Sequence, residues 1–232
     1  MTAARRERLA DDALLLHFGA DTPPIDDDTN ARVHRAVLRI REVQPAWLRD
    51  LVPAYASLAV FFDPDAIDAL AVEHWLDAQL ADDSIATDIG ASRCIEIPVV
   101  YGGDFGEDLD SAALELGLPS AMLAERHAAA TYTVAMIGFA PGFPYLSGLD
   151  PALALPRLAT PRTRVPAGSV AIGGAQTGLY PRESPGGWRL IGRTPLRLFD
   201  PTRASPSLLA PGDRVRFVVI DAREFARLEA DA

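Results

Sequence analysis

Six arginines, one histidine and two runs of glycine and proline carry most of the chemistry this sequence can offer. Arg157, Arg162, Arg164, Arg182, Arg189 and Arg193 all fall between Ile137 and Thr194, in a stretch with almost no acid. Guanidinium groups are planar forks of fixed N–H donors, suited to carboxylates and phosphates. The backbone carrying them is just as particular. Proline fixes φ and removes a donor, while glycine opens φ > 0, so a stretch this dense in both cannot be a helix. It reads as short strands joined by closely specified turns, a scaffold on which an anion could be held. Between residues 138 and 212 eight arginines face only Asp150, Glu183 and Asp200, in a chain of formal net charge −10. An acidic body with one basic region suits a small anionic ligand or an acidic partner and argues against nucleic acid. Arginines solvated on a sheet would give the same composition.

Gly138-Phe139-Ala140-Pro141-Gly142-Phe143-Pro144-Tyr145 follows a strand-like run, and Pro141-Gly142 is a strong turn signal. Amides exposed in that turn could bind an oxyanion. Phe143 and Tyr145 could wall a pocket, although aromatic residues more often fill a core. Gln176, Thr177, Tyr180 and Ser184 are polar groups able to orient a ligand amide. His127 ends a helical run just before a strand. It could act as a general base or as an anion ligand, or simply sit against the helix dipole. His17, His34 and His74 show no metal-ligand spacing, and no metal site is expected. Gly173-Gly174 and Gly186-Gly187 lack the strand–helix context of a dinucleotide fingerprint, and Ser169 lacks that of a nucleophile elbow. All 22 basic residues are arginine. Without lysine there is no Walker-type phosphate lysine, Schiff base or biotinyl carrier in this chain.

The elements that must position these residues divide near residue 92. Over 1–92 the pattern reads as a small α+β domain, with a split βαβ sheet as the expected arrangement. Ala13–Phe18 and Tyr55–Phe62 are strand-like, and a helix over Asp28–Glu42 takes Thr29 or Asp28 as its N-cap. A second helix opens at Asp63-Pro64 and ends at Asp82-Asp83, and Asp83–Ser92 looks like a linker. Over 93–232, Ile95, Ile97 and Val99 alternate on a strand; helices follow at Glu107–Leu116 and Ser120–Ala130, then a strand at Thr131–Phe139. Short β pieces at Ser169–Ile172, Arg189–Ile191, Leu196–Phe199 and Val215–Ile220 imply a barrel or sandwich, and residues 222–231 a terminal helix. The chain of 232 residues is 49% hydrophobic with mean hydropathy +0.08 and a single cysteine, Cys94. That excludes an internal disulfide, and with no signal peptide or membrane span read, the expected compartment is the cytoplasm.

Several segments together resemble a known family. They are IEIPVVYGG at 95–103, Gly-x-Asp-Leu at 106–109, GFAPGFPYL at 138–146, and Pro-Arg at 156–157 and 161–162. VPAGSVAIGGAQTGLYP at 165–181, SPGGWRLIGRT at 184–194 and PGDRVRF at 211–217 complete the set. This is similar to the PxpB/KipI family, long labelled allophanate hydrolase subunit 1, whose unit also forms subdomains C and D of urea carboxylase carboxyltransferase. The likeness is dense from 95 to 217 and loose before 90; Glu107 stands where the family commonly has proline.

The resemblance implies an α+β N-terminal domain followed by a cyclophilin-like β-barrel. It implies a component, inactive alone, of an ATP-dependent 5-oxoprolinase that opens 5-oxo-L-proline to L-glutamate with PxpC/KipA-like and PxpA-like partners. A KipI-like inhibitor of a sensor histidine kinase and a urea carboxylase-type carboxyltransferase component are the alternatives. Under the leading reading Arg157 and Arg162 hold anionic groups and His127 assists proton transfer. Gln176, Thr177 and Tyr180 then shape the pocket, together with Pro141, Gly142, Phe143, Tyr145, Gly186 and Gly187. Arg162→Ala should on this view lower turnover with folding intact.

Overall fold

A computed structural model of the chain describes residues 5–19, 26–81 and 93–230. The linker expected over 83–92, and the Asp82-Asp83 helix stop, lie outside the described residues. Two compact units divide the chain, 1–92 and 93–232.

In the first unit β1 (Arg5–Ala10) and β2 (Ala13–His17) precede α1 (Asp27–Val43); β3 (Leu48–Pro53) and β4 (Ser57–Phe62) precede α2 (Ala69–Leu80). The sheet order is β1-β2-β4-β3 and every neighbouring pair is antiparallel. The expected split βαβ sheet is therefore replaced by two hairpins, because β1 and β3 leave no mark in the sequence pattern. β1 reads RRERLA and is mostly exposed, and β3 buries only Leu51, so neither shows a hydrophobic period. The legible alternation, Leu14 and Leu16 with Leu58, Val60 and Phe62, forms one face packed on Val33, Val37 and Ile40 of α1 and Val72 and Leu76 of α2. Both helix starts shift from expectation. Asp26 caps α1, accepting from the amides of Asp28 and Thr29. Asp63 closes a turn with the amides of Asp65 and Ala66, and Asp68 caps α2 through Ala71 N at 2.9 Å.

The second unit opens with β5 (Cys94–Tyr101), α3 (Leu109–Leu116) and α4 (Ser120–Ala129). Strands β6 (Thr131–Ile137), β7 (Pro144–Ser147), β8 (Arg162–Val165), β9 (Ser169–Gly173), β10 (Gln176–Leu179), β11 (Ser184–Gly186), β12 (Arg189–Arg193) and β13 (Arg214–Val219) follow, then α5 (Ala222–Ala230). Seven of these strands close a barrel in the order β10-β7-β6-β13-β5-β12-β9, with β13–β5 the parallel pair. This is the barrel domain expected. β8 and β11 form a separate two-stranded sheet. Leu196–Phe199 is not a strand; it contributes one isolated bridge, Phe199 to Ser207. Strands β7, β8, β10 and β11 go beyond the sequence expectation, being three or four residues long, and all but β8 contain glycine or proline. The β9–β10 hairpin shows what such residues do: Gly173 pairs Gln176, and Gly174 turns the chain at φ +67°.

Candidate functional site

Alternation along the barrel strands builds two cores. Leu146, Val170, Ile172, Leu179 and Ile191 face the interior with Ile97, Val99, Val134 and Val215. The residues between them, Ala171 and Leu190, pack on the other side with Ala140, Phe143, Val165, Tyr180 and Trp188, and Tyr145 lies against this outer cluster. Phe143 is its hub. Its ring stands edge-to-face with Tyr180 at 5.1 Å, Trp188 at 5.7 Å and Phe139 at 5.3 Å, and tilts against Tyr145 at 5.0 Å. Such pairs add about 0.5–1.5 kcal/mol each beyond area burial.

Arg157 lies over this cluster, its guanidinium 5.6 Å from the Trp188 ring centroid. The backbone on either side of it is pinned. Arg189 Nε donates to Pro156 O at 3.3 Å, and Leu158 N donates to Gly187 O at 2.7 Å. Burial pushes the phenols of Tyr145 and Tyr180 above the ordinary tyrosine range, and in each case the positive charge of Arg157 pulls the other way. The Trp188 amide also pulls the Tyr180 phenol down.

Phe139 borders the same surface in an unusual conformation. Ala140 N donates to Gly138 O at 2.7 Å, so Phe139 is the centre of a three-residue γ-turn, and its φ is +66°. The positive-φ form of that turn is rare and strained. It leaves the Phe139 side chain 59% exposed. The remaining loop hydrogen bonds, Gly138 N to Phe143 O and Phe143 N to Ala140 O, are internal. Three of the amides expected to bind an oxyanion are thus used inside the loop.

His127 is elsewhere. The last turn of α4 places it in the barrel interior, wholly buried and stacked on Phe217 at 4.8 Å. Nδ1 lies 2.8 Å from Tyr101 Oη, and Nε2 lies 2.9 Å from Thr177 Oγ1. Thr177 Oγ1 itself donates to Ala171 O at 3.0 Å, so it can only accept from the imidazole. The proton is thereby assigned to Nε2, and Nδ1 accepts from Tyr101. Burial lowers the His127 pKa from 6.5 to about 3, so the ring is neutral.

With this geometry in view, the comparisons decide the family. The model for the carboxyltransferase domain, subdomain C and D, matches residues 4–209. The chain belongs to that family. Within it, this carboxyltransferase C/D chain is similar to proteins named as 5-oxoprolinase B subunits. The one from Bacillus subtilis (strain 168) is 41% identical, over 94% of each chain. The one from Escherichia coli O157:H7 is 40% identical, over 94% of this chain and 97% of its own. These place it in the PxpB/KipI branch. Among solved structures TTHA0988 matches with TM-score 0.78 and 38% identity, covering 91% of this chain. This chain spans only 40% of the length of that protein.

In this carboxyltransferase C/D chain the expected site residues divide into separate groups. Arg157, Phe143, Tyr145 and Tyr180 share the outer face. Gly142 is buried, turned at φ +78° against Phe199, and Pro141 beside it is exposed. Gly186 packs on the Tyr180 hydroxyl, and Gly187 supplies the carbonyl that fixes Leu158. Gln176 opens β10 opposite Gly173. Thr177 and His127 are the exceptions. Both lie inside the barrel, joined to each other and apart from the outer face, and there His127 holds a buried hydrogen-bond network together. Two outer-face residues escape the sequence reading as site residues. Trp188 is hidden behind its paired glycines, and Phe139 looks like one more aromatic in a turn. The available signal is glycine spacing: Gly173 and Gly178 both lie where a Cβ would strike the Trp188 ring.

Arg162 is engaged within the chain. Its Nε meets Glu107 at 2.8 Å and its Nη2 meets Asp108 at 2.6 Å, so two carboxylates already neutralise it. Asp108 is buried and its other oxygen accepts from Leu190 N at 2.7 Å, which ties the α3 entry to β12. Arg162→Ala would leave that carboxylate without its cation. Discounted for the partial exposure of Arg162, the expected cost is about 1–2 kcal/mol of stability. A chemical denaturation midpoint equal to the parent's would contradict this.

Proposed function

We propose that this chain is the B component of an ATP-dependent 5-oxoprolinase. It acts with PxpA-like and PxpC/KipA-like subunits to open 5-oxo-L-proline to L-glutamate. The observation that carries the reading is the extent of the likeness: two 5-oxoprolinase B subunits match at 40–41% identity across nearly their full length.

An unstrained lactam resists water because its amide is resonance-stabilised. ATP offers a route in which the amide oxygen is phosphorylated with loss of ADP and water adds to the activated carbon. The C–N bond then breaks to leave γ-glutamyl phosphate, and a second water releases glutamate and phosphate. The species to be held are a substrate carboxylate and a developing oxyanion, for which fixed N–H donors are suited. The outer face supplies one such donor group on rigid backbone, Arg157, beside aromatic edges that can exclude water. ATP belongs to the assembled complex, and no residue of this chain is assigned to it.

The test is co-expression with the PxpA-like and PxpC-like partners from the same source, followed by ATP-dependent glutamate release from 5-oxoproline. Release is expected with all three chains and is expected to vanish when this one is omitted. An assembled complex that releases none would falsify the assignment.

A further inference from the structure

The charges of the basic stretch are mostly consumed within the chain. Arg162 is held by Glu107 and Asp108, Arg164 by Glu183, and Arg189 by Glu115. Arg193 donates to Asp104 O and lies over Phe105. Arg157 differs. It forms no ion pair among the described residues, yet it is not a loose surface chain: it lies on Trp188, on backbone pinned at both neighbours. Lying on the indole leaves the donor edges of the fork at the rim of the guanidinium plane, free for an acceptor.

We infer that Arg157, lying on Trp188 beside Tyr145 and Tyr180, is the carboxylate-binding subsite for a small monoanionic ligand with one flat ring face. Two observations converge on this class. The site carries one unmatched positive charge, which fits a carboxylate better than a phosphate dianion. Phe139, exposed by a strained turn and set 6.2 Å from the Tyr180 ring, offers an apolar edge for a flat ring. Strain of this kind persists where the surroundings enforce it and gathers at binding sites. The identity of the ligand as 5-oxoproline rests on the function proposed above; the carboxylate class rests on Arg157 and its neighbours alone.

The experiment compares the complex carrying Arg157→Gln with the parent and with an Arg182→Gln control, which alters an exposed arginine of the same stretch. Losing one charge-assisted contact to substrate is expected to raise KM for 5-oxoproline about ten- to a hundredfold in R157Q. The control should keep the parental KM, and kcat in R157Q should change far less than KM. In parallel, the full chain alone is titrated with 5-oxoproline and with pyrrolidin-2-one, which lacks the carboxylate, following tryptophan fluorescence. Quenching is expected with the acid only, and is expected to be lost in both R157Q and Trp188→Phe. An active complex whose R157Q form keeps its KM overturns the subsite and leaves the function standing. If the parent complex is inactive on 5-oxoproline, the function fails, and the titration decides the subsite. Acid-specific quenching that R157Q abolishes upholds it; no quenching, or quenching unchanged in R157Q, overturns it.

Discussion

Replacing His127 with alanine should cost about 3–5 kcal/mol of stability. The imidazole fills a wholly buried space against Phe217 and Tyr132 and joins Tyr101 to Thr177. Its removal opens a cavity and strands the Tyr101 hydroxyl, an added penalty of about 1–3 kcal/mol in such a setting, while Thr177 Oγ1 keeps its bond to Ala171 O. A pH signature separates this from ordinary packing loss. The folded-state pKa is about 3 against 6.5 for an unperturbed histidine. Between those values the unfolded chain binds a proton that the folded chain excludes, so stability is complete above 6.5 and falls as pH drops towards 3. At pH 5 the loss from this one group is about 2 kcal/mol. Urea unfolding at pH 7 and pH 5 should show that difference in the parent. His127→Gln, which retains an amide donor but cannot titrate, should lack it. Equal pH dependence in the two proteins would mean that the ring is reached by solvent and protonated in the fold.

The same residue shows how far a sequence can be read. A histidine at a helix C-terminus before a glycine-rich stretch has the composition of a catalytic group. Only the strand register turns it inward, by putting Thr177 on the interior side of β10 and Tyr101 at the end of β5. Strands with clean alternation, β5 and β13 among them, are legible because each long strand buries one face in regular order. β8, β10 and β11 are not, because three or four residues hold too few alternations to show a period. The basic stretch is legible as a place for an anion, but not which of its arginines is free. That depends on acids far away in sequence, Glu107, Asp108 and Glu115, folding onto Arg162 and Arg189. Glu107, the one noted departure from the family pattern, proves to be a direct partner of Arg162.

Gly173→Ala should destabilise the barrel by about 3 kcal/mol and disturb the Arg157 site with it. A Cβ at this position would lie 2.4–2.7 Å from three atoms of the Trp188 indole, inside any permitted contact. Gly173 is not among the residues with positive φ, so the added methyl brings a collision rather than a backbone conflict. Strand β9 cannot move away, because Gly173 is paired to Gln176 and its neighbour Ile172 is paired to both Thr177 and Arg189. The indole must yield. Its shift would break the edge contacts to Phe143 and Tyr145 and remove the surface on which Arg157 lies. Overpacking of this kind typically costs about 1–3 kcal/mol, and the rigid ring puts this case at the upper end. Because the cause is one pair of groups, it can be isolated in a double-mutant cycle. Trp188→Leu alone loses packing, but in the Gly173→Ala background it relieves the clash, so the two changes should couple by at least about 1 kcal/mol. Strict additivity in denaturant midpoints would show that the ring is not where the methyl would go. The coupling would also locate the glycine's purpose: it is the space that lets an indole lie flat on a β-strand and carry an arginine on its outer face.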